Sequence, residues 1–183
     1  MNARRTLCMA AFAGIVAAAA GARAQGSGDP LRLRIELRSS KAYTGEPIPL
    51  TISLTNHGPE MLRVYSHVAT HETHLDPFAA RLVPTSTCPL PSSLRDRPVA
   101  RTLCFSDARD KSAPVYKNLR QGEFIRHRVD LQAWASRAVN GGKPIMRGCY
   151  QLEMSYTVRG VKGVWNGSIR SQKLELNIDR LPE

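Results

Sequence analysis

The sequence predicts an all-β domain of about seven or eight strands, folded as a sandwich or barrel. Three observations carry this. Several segments alternate apolar and polar residues with period two, Gly, Pro and Asn clusters separate them, and helical periodicity is missing from the body of the chain.

The first strand is Leu31, Leu33, Ile35 and Leu37 alternating with Arg32, Arg34, Glu36 and Arg38, one face buried and one in water. Gly45-Glu46-Pro47 marks a turn, and Ile48, Leu50, Ile52 and Leu54 form a second strand that stops at Asn56-His57-Gly58-Pro59. A third uses Leu62, Val64 and Val68 inward, with Arg63, Tyr65 and His67 on the other face. Residues 84–114 carry five prolines and many charges, which predicts a long excursion between strands. After Gly122 a strand runs through Ile125, Val129 and Leu131, with a helical turn near Trp134. The clearest strand follows, with Tyr150, Leu152, Met154, Tyr156 and Val158 facing inward, and segments at 164–169 and at Leu174, Leu176 and Ile178 complete the set.

Ahead of these elements lies a different kind of segment. Arg4 and Arg5 precede an apolar run from Leu7 to Ala20, and Ala22-Arg23-Ala24 supplies small residues at the right spacing. This order predicts a secretory signal over 1–24, cut between Ala24 and Gln25. A spanning helix needs about 20 apolar residues, and this run is shorter and mostly Ala. The arginine pair suits either a twin-arginine or a general export signal. Cys8 sits too early in the run to carry a lipid. The expected address is the periplasm or the medium, with 25–183 as one domain.

The chain has 26 Lys and Arg against 15 Asp and Glu, a net charge of +11. Export makes nucleic acid an unsuitable target for that charge. Lipopolysaccharide, phospholipid head groups and acidic polymer remain, so an anionic envelope polymer or an envelope protein is the expected class of partner. Because the basic residues are scattered along the sequence, solubility alone is the favoured reading of the charge. Three cysteines follow the leader, Cys88, Cys104 and Cys149. An oxidising compartment predicts one disulfide, and Cys88 with Cys104 would close a loop of about 15 residues, worth about 3 kcal/mol. Cys149 is then left over.

Residues 43–56, from Tyr43-Thr44-Gly45-Glu46-Pro47 to Leu54-Thr55-Asn56, resemble the second-strand signature of bacterial immunoglobulin-like modules. Gly148-Cys149-Tyr150-Gln151-Leu152 resembles their Gly-x-Tyr strand near the C-terminal end. The resemblance implies a two-sheet antiparallel immunoglobulin-like sandwich with Tyr150 in the tyrosine-corner role. The chain departs from antibody domains in having Leu152 at the second core cysteine and no Trp in the third strand, so no intersheet disulfide is implied.

Candidate chemistry is sparse. His67, His71 and His74, with Asp76 beyond, are the densest group of metal-ligand types and make a zinc- or copper-binding protein the alternative function. Their neighbours favour strand or loop, where His67 and His71 share a face and His74 does not. His127 lies in phase with Ile125 and Val129, a structural position. His71-Glu72-Thr73-His74 is one residue short of a zinc-protease motif, Gly-x-Ser-x-Gly does not occur, and no phosphate or dinucleotide loop is present. A hydrolase using Cys149 or a Ser is the most distant reading, and Asn166-Gly167-Ser168 reads as a turn rather than a glycosylation acceptor. No catalytic residue, metal site or cofactor is expected. The expected function is a noncatalytic exported module that binds or assembles with an envelope component through loops or a sheet edge.

Overall fold

A computed structural model describes residues 28–66, 77–86, 88, 100–104, 115–137 and 140–180. The expected signal segment 1–24, its expected cleavage position at Ala24 and Gln25, the cluster His67, His71, His74 and Asp76, and most of the excursion lie outside these residues.

The described residues are mostly β, with eleven strands and one short helix. The strands are β1 (Leu31–Leu37), β2 (Lys41–Tyr43), β3 (Pro49–Asn56), β4 (Leu62–Tyr65), β5 (Phe78–Pro84) and β6 (Arg101–Cys104), then β7 (Tyr116–Leu119), β8 (Phe124–Asp130), β9 (Gly148–Val158), β10 (Gly167–Arg170) and β11 (Leu174–Asp179). The helix, α1 (Leu131–Ala135), falls at the turn expected near Trp134 and is capped by the Asp130 side chain. The count exceeds seven or eight because β5 was not marked by the alternation and β2, β6 and β7 span only three or four residues each, too few for it to register.

One sheet has the order β1-β3-β8; a second runs β2-β11-β9-β5-β6, with β10 also on β9; and β4 pairs with β7. All pairs are antiparallel except β2 with β11. Leaving β1, the chain passes Ser39 and Ser40 and joins the other sheet as β2, so one N-terminal stretch edges both sheets. Leu33, Ile35, Leu50, Ile52 and Leu54 from the first sheet share one buried cluster with Phe78, Leu82, Leu152, Met154, Tyr156 and Leu176 from the second. Phe78 and Tyr156 meet edge to face at 4.8 Å in this core.

Tyr65 departs from the outward position expected of it. It is 4% exposed, because β4 pairs with β7 and presses the Tyr65 ring against Tyr116 at 4.8 Å. Burial and the neighbouring Tyr116 hydroxyl push its phenol up to about 12. β6 corrects the excursion in turn, since Leu103 is fully buried inside it. Arg101 of this strand donates to the carbonyls of Ala135, Asn140, Lys143 and Pro144 and so holds the chain after α1 against the sheet.

The disulfide also differs from expectation. Cys88 is bonded to Cys149, with the Cα atoms 5.4 Å apart, and not to Cys104. Strand geometry gives the reason. At one end of β5 Pro84 lies opposite Tyr150, and the next N–H, that of Thr85, donates to the Cys149 carbonyl at 2.9 Å, so the chain leaves β5 beside Cys149. Cys104 lies opposite Ala79 at the other end of β5, about 17 Å along the strand, whereas a disulfide needs Cα atoms within about 7 Å. Cys149 is therefore the structural partner of Cys88 and not a left-over thiol.

Candidate functional site

The strand order β1-β3-β8 builds a surface that no stretch of sequence contains. Inward positions of all three strands go to the core, which sends Arg32, Arg34 and Glu36 of β1, Thr51, Ser53 and Thr55 of β3, and Phe124, Arg126 and Arg128 of β8 to the opposite face. Register sets these in rows: Arg32, Thr55 and Phe124; then Arg34, Ser53 and Arg126; then Glu36, Thr51 and Arg128. Arg38 extends the pattern, its N–H donating to the Pro49 carbonyl at 3.3 Å. Neighbouring arginines on one strand stand about 7 Å apart, and β1 and β8 are about 10 Å apart across the hydroxyl ridge of β3.

Five guanidinium groups and two carboxylates, Glu36 and the half-buried Asp130 in the row of Arg38 and Pro49, therefore share a single face. Glu36 is taken up by Arg34, Nε to Oε1 at 3.1 Å, an exposed pair that contributes little to stability. Arg126 reaches the Ser53 hydroxyl at 3.4 Å and lies over the Phe124 ring, 5.0 Å from its centroid. Phe124 is itself 48% exposed. Such a face can bind an anion by charge, by forked hydrogen bonds from guanidinium and by donation from the Thr and Ser hydroxyls.

The two edges of this sheet are defended. In β1 the main-chain groups of alternate residues point away from β3, and at Ile35 both are met by the Gln172 amide, whose Oε1 accepts from the Ile35 N–H at 3.4 Å and whose Nε2 donates to the Ile35 carbonyl. A bulge frees Gln172 to do this: residues 171–173 stand opposite only 153 and 154, and the Ser171 hydroxyl accepts the Met154 N–H at 2.9 Å. Beside it lies a shallow cleft of about 350 Å³ between β1 and β11. The other edge, β8, carries Arg126 and Arg128, charges that disfavour addition of another strand.

Other candidates resolve into structure. His127 sits opposite Ile52, half-buried, with its ring 6.4 Å from that of Phe78. The Tyr150 hydroxyl donates to the Met146 carbonyl at 2.8 Å. Asn166 closes its own turn, its amide donating to the carbonyls of Val161 and Val164 at 2.7 Å. The Arg180 N–H and the nearly buried Arg147 guanidinium hold the Asp179 carboxyl below its usual value and tie the end of β11 to the approach to β9. Among the described residues no group of three or more His, Cys, Asp or Glu is placed to hold a metal, and no helix is long and apolar enough to cross a membrane. The arginine face was missed in the sequence because its members are separated by some ninety residues and meet only through β3. Their common signal was the outward phase of Arg in two strands that the alternation had already marked. No family model matches the chain, and no curated protein matches it either.

Proposed function

We propose that this chain is a noncatalytic, exported immunoglobulin-like module of the bacterial cell envelope that binds an envelope component through the outer face of the β1-β3-β8 sheet. The arginine face carries this reading. Charge that looked dispersed in the sequence is gathered there with two acids, and hydroxyl donors lie between. Within this sheet the face takes precedence over an edge, because Gln172 meets the main chain of β1 at Ile35 and arginines guard β8.

The sandwich reading has its own support. Strands one, three and eight on one sheet against five, nine and eleven on the other reproduce the A-B-E and C-F-G grouping of immunoglobulin domains. The step from β1 to β2 exchanges sheets, and the Tyr150 hydroxyl bonds four residues upstream as a tyrosine corner does. Residues 1–24 direct export.

The test is sedimentation of the processed chain with envelopes isolated from Gram-negative cells. The expected result is retention that falls steeply with added salt and drops in the double variant Arg126→Gln, Arg128→Gln. Absence of retention, or retention indifferent to both, contradicts the reading.

A further inference from the structure

We infer that the component met by the arginine face is a membrane surface bearing anionic phosphate head groups, an inference that rests on the envelope-binding reading above. The chemistry of the face selects phosphate. All five of its cations, Arg32, Arg34, Arg38, Arg126 and Arg128, are arginine, whose planar fork donates two parallel hydrogen bonds to phosphate oxygens where lysine offers a point charge.

Its shape selects a plane of phosphates over a single strand of them. The arginines lie on two strands flanking a third, so they form a two-dimensional array spaced about 7 Å along a strand and about 10 Å across the sheet, and not a file along a groove. A linear polymer would engage one row at a time, whereas a planar surface engages all of them together. Phe124 adds the third element. It stands half-exposed at the corner of the array with Arg126 over its ring, an aromatic placed to enter the head-group region while the guanidinium stays with phosphate. Glu36, paired with Arg34, and Asp130 offset two of the five arginine charges and leave the array positive.

The experiment uses the processed chain and two vesicle preparations, phosphatidylcholine alone and phosphatidylcholine mixed with phosphatidylglycerol. Binding is expected to the mixed vesicles only, and to vanish at about 1 M salt, where the screening length falls to about 3 Å. Arg126→Gln with Arg128→Gln lowers the vesicle affinity about 30-fold, from the usual tenfold-or-less gain per juxtamembrane basic residue, with the melting temperature unchanged. A control pair on the other sheet, Arg81→Gln with Lys41→Gln, removes the same charge and is expected to leave most of the binding intact. Phe124→Ser weakens vesicle binding and leaves binding of soluble polyphosphate alone. Equal loss in both double variants would reduce the effect to net charge and overturn the inference. Binding of polyphosphate without binding of vesicles would overturn it in favour of a soluble polymer. Retention on whole envelopes with no affinity for either vesicle would sink the inference while leaving the envelope-binding reading standing.

Discussion

Replacing Cys149 with Ser is expected to lower stability by about 4 kcal/mol and the melting temperature by about 10–20 °C, while Cys104→Ser changes neither by a comparable amount. The bridge joins residues 61 apart, so its removal restores about 1 kcal/mol more freedom to the unfolded chain than opening the shorter loop would. The folded state loses more than a crosslink. Cys149 belongs to the outward side of β9 yet is 3% exposed, because the chain leaving β5 is fastened over it. Thermal unfolding of wild type, Cys149→Ser and Cys104→Ser under non-reducing conditions separates the two pairings. A large loss from Cys104→Ser with none from Cys149→Ser would restore the Cys88–Cys104 bridge.

The second large effect is expected at Asn56, the last residue of β3 and fully buried. Its amide nitrogen donates to the carbonyls of Glu60 at 2.7 Å and Leu119 at 2.9 Å, and its oxygen accepts the Gly58 N–H at 2.9 Å. Its own backbone meets Glu123 and Gly122, so this one residue closes the turn after β3 onto the β7–β8 connection. Asn56→Ala removes a partner from three backbone groups at once and is expected to cost about 3 kcal/mol. Asn56→Asp costs at least as much, because a carboxylate would face two carbonyl oxygens in a site closed to water. Gly58 shares the constraint: a Cβ there would fall 2.6 Å from that of Pro30. Denaturant unfolding of the two Asn56 variants measures both losses. An Asn56→Asp variant as stable as wild type would refute the role assigned to the amide.

What the sequence disclosed and what it withheld follow from range. β1, β3, β9 and β11 were legible because each is long enough for Leu, Ile, Met and Tyr to mark one face repeatedly. β5 was passed over, since its inward Ala80 weakens the alternation between Phe78 and Leu82, and β6 was hidden among prolines. The disulfide was misjudged for a physical reason. Loop-closure entropy favours near cysteines in the unfolded chain, but the pairing is decided by which strand ends meet in the folded one. The arginine face lay beyond any local pattern. Arg32 and Arg34 were already known to face water, as Leu33 and Ile35 alternate with them, but only the adjacency of β1, β3 and β8 makes them neighbours of Arg126 and Arg128.

A role at the envelope requires an exported, oxidised chain, so the most direct measurement is mass spectrometry of the protein from fractionated host cells, intact and after non-reducing digestion. The expected result is a periplasmic product that begins at Gln25, two hydrogens lighter than its reduced form, with a digest fragment linking Cys88 to Cys149. A cytoplasmic product that retains residues 1–24 with its cysteines reduced would contradict it.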